Sequence, residues 1–285
     1  MTSAQGSNID VVANATTMLF VPGDRPDRFV KARQSGADLI IIDLEDAVAP
    51  ENKALALDAV VAALTSPHEE IPGGRLTAVV RINSENSSVE LAALRDVSAV
   101  AGNGLLGVMV PKAETPQQMS EAIAALPVGF GIVALIESAR GLSNAHEIAS
   151  VPGVTRLGFG AVDFGVDVDA THERVLDYAR AQIVIASSAA EIAAPVDSPS
   201  LSIKDGEVVS AEALRAREFG FGGKLCIHPA QVELVHSAFA PTSEQVAWAQ
   251  KVIGLEGGAS QLDGVMIDKP VVDRAKRILS RAGAK

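Results

Sequence analysis

The sequence predicts an α/β protein built as a (β/α)8 TIM barrel, and three observations lead to that class. Eight short apolar runs each precede a segment with helical apolar spacing. Most of these runs are continuous rather than alternating, which is typical of parallel strands covered on both faces. The eight units follow one another without a break over the first 240 residues, as a closed barrel requires.

A doubly wound open sheet is the alternative arrangement for alternating strands and helices. Such a sheet often binds a dinucleotide at a glycine-rich loop after its first strand. Here the first strand runs into "FVPGDRPDR", which has proline where that loop needs glycine. This departure favours the barrel.

The element boundaries follow from the apolar runs and the cap signals. The expected strands cover residues 17–23, 37–46, 76–83, 104–112, 129–138, 154–164, 193–199 and 222–229, of which the seventh has the weakest pattern. The helix after the fourth strand has the clearest start: Thr115 as N-cap, Pro116 at the first helical position and Gln118 at the capping-box position.

We expect the chain to consist of a tail, a barrel and a C-terminal extension. Residues 1–15 are expected to be a disordered tail, and residues 16–240 to form the barrel. Residues 241–285 follow the eighth unit and predict a helix, a hairpin with Asp263-Gly264 as its turn, and a basic amphipathic helix. Because a barrel is complete without this extension, we expect it to pack on the barrel or on a neighbouring subunit.

Composition narrows the class of protein. The net charge of -11 disfavours nucleic acid as a partner, because such a surface repels phosphates. Cys226 is the single cysteine, so no intramolecular disulfide can form. No apolar run reaches the roughly 18 residues of a membrane span, and the first residues do not resemble a signal peptide. We therefore expect a cytoplasmic protein with no membrane partner.

Polar side chains recur where the predicted strands end, which is the face on which a TIM barrel has its active site. They are Asp43, Glu45, Asp46, Arg81, Asn83, Lys112, Glu137, Asp163, Asp197, Lys224 and His228. Glu137 and Asp163 are expected to end strands five and six, and neighbouring strands lie only about 4.8 Å apart.

Two close carboxylates have three ordinary explanations: they share a proton, they bind a divalent cation, or they pair with arginine. Arg140 and Arg156 are the arginines near enough in sequence for the third explanation. If the site binds a cation, two carboxylates without a nearby His or Cys suit Mg²⁺ better than Zn²⁺, because Mg²⁺ keeps several waters.

A set of motifs extends over nearly the whole chain, from about residue 18 to residue 279. In order, they are "LFVPGDRPDRFVKARQSGADLIIIDLEDAV", "VVRIN", "VMVPKAET", "ALIESARGLSNAHEIA", "GFGAVDFGVDV", "FGFGGKLCIHPAQVELV" and "LDGVMIDKPVV". Together they resemble the signatures of the citrate lyase beta subunit-like enzymes of the HpcH/HpaI aldolase superfamily. The resemblance implies a (β/α)8 barrel, usually trimeric, that binds Mg²⁺.

The resemblance also implies roles for particular residues. It implies Glu137 and Asp163 as metal ligands, and Arg81 as the arginine that holds the oxoacid and the developing negative charge. Glu45 of "DLED" is implied as a carboxylate that engages metal-bound water. Lys112 of "VPKAET" is a further candidate for substrate binding.

Two implied residues lie near the ends of the chain. Arg25 of "PGDRP" matches an arginine at the barrel mouth, near the substrate or its thioester arm. Asp268 of "MID" matches a catalytic carboxylate that relatives carry on the C-terminal segment and often offer to the adjacent subunit. Structural roles compete: Arg81 could pair with Asp43, and Asp268 could cap the last helix.

The implied activity is that of a carbon–carbon lyase. It would cleave or form a 3-hydroxyacyl-CoA such as citramalyl-CoA or malyl-CoA, with an oxoacid and acetyl-CoA or a related acyl-CoA as the other side of the reaction. The partners would be these small molecules and further copies of the chain, as a trimer or a dimer of trimers. The alternatives are a citrate lyase beta subunit acting on a citryl acyl-carrier-protein thioester, and a class II pyruvate aldolase.

The chain departs from the usual family pattern around strands six and seven. Ala181 and Gln182 stand where relatives commonly carry Ser-Arg, "AAPVDSPSLSI" replaces a "PAIDGVY"-like stretch, and "GAVDFGVDVDA" lacks the "GTGDF" form. These departures concern the acyl pocket and the choice of thioester. They leave the two implied metal ligands in place.

Overall fold

The computed structural model describes residues 7–85, 87–255, 260–262 and 265–283 of the chain. Eight strands form a closed barrel in sequence order, with parallel pairing throughout. They are β1 Thr17–Pro22, β2 Leu39–Asp43, β3 Ala78–Arg81, β4 Leu105–Val110, β5 Gly131–Ile136, β6 Arg156–Phe159, β7 Ala193–Asp197 and β8 Gly223–Cys226. The predicted barrel is confirmed, and each strand lies inside its predicted run.

Burial explains why these runs form strands. Every residue of β2, β4 and β5 is buried, as expected for strands with the barrel interior on one face and helices on the other. The register pairs Pro22 with Asp43 and Asp43 with Arg81. The charged ends of β2 and β3 are therefore direct neighbours.

Helices connect the strands and continue beyond them. They are α1 Asn8–Asn14, α2 Phe29–Arg33, α3 Lys53–Thr65, α4 Ser88–Ala99, α5 Pro116–Ala125, α6 Ala139–Ser143, α7 Ala145–Ala149, α8 Ala161–Asp167, α9 Glu173–Ala189, α10 Gly206–Phe219, α11 Val232–Phe239, α12 Ser243–Gly254 and α13 Lys269–Gly283. Short 3₁₀ turns cover Pro26–Arg28, Pro50–Asn52 and Pro229–Gln231. The predicted capping box of Thr115 and Gln118 is present at the start of α5.

Residues 7–15 differ from the expectation of a disordered tail, and residues 1–6 of that predicted tail lie outside the described residues. Ser7 and Asp10 form a capping box, and α1 begins at Asn8. Val12 of this helix is fully buried in the barrel's core cluster. A Cβ on Gly131, at the start of β5, would lie 2.7 Å from a Val12 methyl group, so this glycine lets α1 approach the strand. A seven-residue helix with one buried apolar side chain gives too weak a period to be read from sequence.

Arg156 explains how α1 is held. This arginine begins β6 and is 1% exposed. Its guanidinium donates to the carbonyl oxygens of Ala15 at 2.6 Å and of Ala194 at 2.5 Å. Burial lowers its pKa to about 10. Since Arg156 is at the amino-terminal end of its strand, it is not the partner of Glu137 that the sequence allowed.

The chain folds as two compact units, Met1–Ala238 and Phe239–Lys285. In the second unit, α12 and α13 pack through buried Ala249, Val252, Val272 and Ala275. Strands β9 Ser260–Leu262 and β10 Val265–Ile267 pair antiparallel, as the predicted hairpin requires. Its predicted turn, Asp263-Gly264, lies outside the described residues. Among the residues described, no helix is long and apolar enough to cross a membrane.

Candidate active site at the barrel mouth

An arginine–aspartate pair joins the ends of β2 and β3. Arg81 Nε donates to Asp43 Oδ1 at 2.7 Å, and Arg81 Nη2 donates to Asp43 Oδ2 at 2.6 Å. The same carboxylate accepts the backbone N–H groups of Glu45 and Ala47 at 2.9 and 3.1 Å. Asp43 thus fixes both the Arg81 side chain and the loop after β2. The predicted structural partnership of Arg81 is present.

The pairing with Asp43 determines what Arg81 can still bind. Its Nε and Nη2 fork is taken, so Nη1 is the group directed toward Glu45 and Asp46, at 3.1 and 3.5 Å. Its guanidinium also lies over the Phe20 ring, 4.8 Å from the centroid. Burial alone would lower the pKa of Arg81, but the bond and charge of Asp43, with the charge of Glu45, raise it above its ordinary value. Arg81 is a permanent cation in the site.

Glu45 lies between two cations. It is 5% exposed, and its Oε1 accepts a hydrogen bond from Lys112 Nζ at 2.8 Å. Its Oε2 lies 3.1 Å from Arg81 Nη1, yet it has no hydrogen-bond donor among the described residues. The short distance and the missing hydrogen bond are consistent, because Arg81 Nη1 and Glu45 Oε2 form an ion pair in which no N–H points at the oxygen. One oxygen of a buried carboxylate is therefore available to a donor such as an ordered water.

Lys112 adopts an uncommon backbone conformation. Its φ of 45° is in the left-handed region, which costs a non-glycine residue on the order of 1 kcal/mol or more. In this conformation its N–H donates to Glu137 Oε2 at 2.9 Å while its side chain reaches Glu45. Lys112 therefore links the two carboxylates. Sequence reasoning identified the side chain and missed the backbone amide, because nothing in the sequence indicates this φ.

Glu137 follows β5 and is 5% exposed. Desolvation by burial raises its pKa to about 7, and the negative charges of Glu45 and Asp163 add to this rise. Gly160 at the end of β6 makes room for it, since a Cβ there would lie 2.5 Å from Glu137 Oε1. The apolar run of β5 ends on a carboxylate because that carboxylate faces the barrel mouth.

The sequence predicted Asp163 at the end of the sixth strand, and this placement is wrong. Strand β6 ends at Phe159, and Asp163 lies in the first turn of α8, which begins at Ala161. The two acids are still neighbours, because the charge of Asp163 contributes to the raised pKa of Glu137. Asp163 is half-buried, so it remains accessible.

The residues present fit Mg²⁺. Burial and the charges of Glu45 and Asp163 disfavour the charged form of Glu137 and raise its pKa, and a divalent cation would offset this. No group of three or more His, Cys, Asp or Glu suited to holding a metal is found within the described ranges. Two carboxylates with room for water and substrate oxygens form the kind of site that Mg²⁺ occupies. The free Glu45 Oε2 could accept a hydrogen bond from a water on such an ion.

Three further residues that the sequence singled out have the following polar partners. Arg25 precedes the Pro26–Arg28 turn, and its guanidinium pairs with Asp27 at 2.9 Å. Arg140 is exposed and lies 3.8 Å from Glu114, so Glu114 is its ionic partner. In the second unit, Asp268 Oδ1 accepts the backbone N–H of Val271 at 3.2 Å. Asp268 therefore caps α13, which is the structural role that the sequence offered for it.

A second ionic cluster joins Asp197 at the end of β7 to Lys224 within β8. Asp197 accepts Arg180 Nε at 3.1 Å and Lys224 Nζ at 3.1 Å, one on each carboxylate oxygen. Asp197 and Lys224 are 1% and 2% exposed. Lys224, which the sequence placed with the mouth residues, is a buried strand residue paired to its neighbour. Arg180 and Lys224 also line a pocket of about 500 Å³ beside α8 and α9.

The fold and the site define a class of protein: a (β/α)8-barrel enzyme with a carboxylate pair and a fixed arginine at the barrel mouth. A family model described as HpcH/HpaI aldolase/citrate lyase matches residues 16–229. The chain belongs to this family of aldolases and lyases.

Three similar proteins indicate where in the family the chain falls. A citrate lyase subunit beta-like protein of Mycobacterium tuberculosis is 36% identical over 93% of this chain and 94% of that protein. A (3S)-malyl-CoA thioesterase of Cereibacter sphaeroides is 29% identical over 94% of each chain. The crystal structure of protein CitE from M. tuberculosis, in complex with magnesium, acetoacetate and coenzyme A, has 35% identity and a TM-score of 0.77, over 95% of this chain and 99% of that chain.

Proposed function

We propose that the chain is a Mg²⁺-dependent lyase that cleaves or forms a 3-hydroxyacyl-CoA such as citramalyl-CoA or malyl-CoA. The other side of the reaction is an oxoacid with acetyl-CoA or a related acyl-CoA. The observation that carries this proposal is the buried Glu137 carboxylate, which the charges of Asp163 and of the fixed cation Arg81 both reach. The magnesium, acetoacetate and coenzyme A bound to CitE of M. tuberculosis support the same chemistry.

The reaction breaks one carbon–carbon bond. The substrate hydroxyl loses its proton, the bond between C2 and C3 breaks, C3 becomes the oxoacid carbonyl, and the thioester enolate takes a proton at C2. When bound between Glu137 and Asp163, Mg²⁺ supplies positive charge to the oxygens of the oxoacid part. Arg81 holds a substrate carboxylate or the enolate oxygen through the N–H groups that Asp43 does not take. Such fixed charge is usually the largest catalytic contribution.

The remaining candidates have supporting roles. Glu45 would engage water at the metal site through Oε2, which has no hydrogen-bond donor among the described residues. Lys112 and Arg25 bind the anionic parts of the substrate, for which the supporting evidence is their charge and the family resemblance. Asp268 moves the proton, and the resemblance of "MID" to its relatives supports that role.

The architecture that goes with this function is a barrel over residues 16–240 and an extension over residues 241–285. The extension of one subunit offers Asp268 to a neighbouring barrel, so the working form is a homo-oligomer, a trimer or a dimer of trimers. Support comes from the resemblance and from the separate compactness of residues 239–285.

A second candidate function is that of a citrate lyase beta subunit, with an acyl-carrier-protein thioester as substrate. The citrate lyase subunit beta-like relative favours it. The same residues would serve, since only the thioester carrier changes.

Purified protein assayed with Mg²⁺ tests the proposal. With citramalyl-CoA or malyl-CoA, we expect release of pyruvate or glyoxylate together with acetyl-CoA. Cleavage of citryl-acyl carrier protein in preference to either CoA thioester would select the second function. If no thioester of either kind is cleaved or formed, the proposed function is wrong.

A further inference from the structure

Lys53 is a half-buried cation that the sequence analysis did not single out. It is the first residue of α3, where the helix dipole places partial positive charge, so a lysine there is electrostatically unfavourable. Its ammonium group is engaged in three hydrogen bonds. Nζ donates to the carbonyl oxygens of Leu44 at 2.6 Å and Glu45 at 2.5 Å, and to Asn83 Oδ1 at 2.6 Å.

These acceptors belong to two different loops of the mouth. Leu44 and Glu45 follow β2, and Asn83 follows β3 two residues after Arg81. A lysine has three donors, and here all three are used to tie one loop to the other. The tie holds the backbone carbonyl of Glu45, the residue whose carboxylate lies between Arg81 and Lys112.

Glu90 of α4 connects to the same residues by accepting two hydrogen bonds from Asn83. Its Oε2 accepts the backbone N–H of Asn83 at 2.7 Å, and its Oε1 accepts the Asn83 side-chain amide. Glu90 is 8% exposed, and desolvation by burial raises its pKa. The amide of Asn83 is thus oriented so that its oxygen faces Lys53. Lys53, Asn83 and Glu90 form one connected set, which we call the lysine strap.

We propose that the lysine strap positions Glu45 and Arg81 for the reaction, with Lys53 acting through Glu45 rather than touching substrate. This inference rests on the proposed function. Lys53 donates to the Glu45 carbonyl, and Glu45 Oε2 lies 3.1 Å from Nη1 of Arg81, the cation proposed to hold substrate. Without the ammonium, Asp43 still holds the Glu45 N–H, and the Val48 N–H still donates to the Glu45 carbonyl at 3.2 Å. What is lost is the link from that carbonyl to Asn83 on the neighbouring loop.

A double-mutant cycle tests this role. Lys53→Met keeps the aliphatic stem and removes the donors, and we expect kcat to fall by roughly 10- to 100-fold, as for other residues that orient catalytic groups. KM for the acyl-CoA and the Kd for Mg²⁺ should change little. In a Glu45→Gln background, Lys53→Met should lower kcat by less than about threefold, because the group it positions is already lost.

Gln231 provides a matched control. Its Nε2 donates to the carbonyl oxygens of Ser200 and Ser202, both at 2.9 Å, so it ties the loops after β7 and β8 as Lys53 ties those after β2 and β3. The effect of Gln231→Leu should be the same factor in the wild-type and Glu45→Gln backgrounds. If Lys53→Met does not fold, Lys53→Gln, which keeps two donors, enters the same cycle.

The outcomes separate this inference from the proposed function. Suppose that Glu45→Gln lowers kcat and that Lys53→Met lowers it by the same factor in this background as in the wild type. Lys53 then only stabilises the fold, and the positioning role is wrong. If Glu45→Gln is as active as the wild type, the proposed role of Glu45 fails and the positioning role fails with it. A reduced effect of Lys53→Met in the Glu45→Gln background, beside an unreduced effect of Gln231→Leu, supports the inference.

Discussion

The two sides of the barrel mouth contain the same kinds of charged side chain in different electrostatic states. On the β7–β8 side, both carboxylate oxygens of Asp197 are used, one by Arg180 and one by Lys224. On the β2–β6 side, Glu45 has an oxygen without a donor among the described residues, and the pKa of Glu137 is raised to about 7.

The difference is our reason for proposing the β2–β6 side as the site. Ionic groups that satisfy one another are typical of a structural network, whereas acids left without enough positive charge indicate a place for a ligand. Asp197 and Glu137 are both carboxylates at the end of a strand, so neither the chemical group nor its position separates the two clusters. The partners do.

The carboxylate pair should give the largest effect. We expect Glu137→Gln and Asp163→Asn each to abolish Mg²⁺-dependent turnover, because each replaces a charged carboxylate ligand of the ion with a neutral amide. Asp205→Asn is a matched control: Asp205 caps α10, asparagine also caps, and activity should stay unchanged. Full turnover of a chelator-treated enzyme would contradict the metal requirement.

Asp268 should give the next largest effect. Asp268→Asn preserves the cap of α13 and removes proton transfer, so we expect kcat to fall by roughly 10²–10⁴-fold with little change in stability. Steady-state kinetics beside a thermal melt check this. An unchanged kcat would leave Asp268 with its capping role alone.

Subunit mixing decides whether Asp268 acts on a neighbour. Asp268→Asn and Glu137→Gln proteins, dissociated and reassembled together, should recover part of the activity if an intact Asp268 of one chain serves an intact metal site of another. Mixed oligomers, verified by mass, that show no recovery would restrict Asp268 to its own chain.

The β7–β8 cluster should respond in stability rather than in rate. Lys224→Met leaves the buried charge of Asp197 short of one partner, which costs about 3–5 kcal/mol when a buried pair is broken. Urea denaturation should show this loss, while kcat of the folded protein at low temperature stays within a few-fold of wild type. A loss of kcat comparable to that of the Mg²⁺-site variants would place this cluster in the reaction.

Arg81→Lys should lower the rate with a smaller cost to the fold. The charge remains, but one ammonium cannot satisfy both oxygens of Asp43 and still reach Glu45. We expect kcat to fall by roughly 10²–10³-fold, as for loss of one fixed donor. If the variant instead unfolds at moderate temperature, the pairing with Asp43 is the main role of Arg81.

The fold could be predicted from sequence because it depends on periods that a single chain displays. Apolar runs, most of them continuous, predicted all eight strands, and the cap signals of Thr115 and Gln118 predicted the start of α5. Helix α1 could not be found, since its main evidence is the contact of Val12 with a glycine 119 positions later in the chain, Gly131.

The site could be predicted only as a set of side chains. Glu137 and Arg81 were found because a charge at the end of a buried strand stands out. Asp163 was placed on the wrong element, because the short β6 passes into α8 without a turn signal. The backbone of Lys112 and the bonds of Lys53 depend on local geometry and on contacts between loops, which no sequence pattern displays.

The central claim is that the β2–β6 side binds Mg²⁺ through Glu137, and calorimetric titration of metal-free protein with Mg²⁺ tests it most directly. Because the pKa of Glu137 is raised to about 7, a proton competes with the ion below that pH, and affinity should fall roughly tenfold from pH 8 to pH 6. Glu137→Gln should remove both the tight binding and its dependence on pH. Equal Mg²⁺ affinity in Glu137→Gln and wild type at pH 8 would contradict the claim.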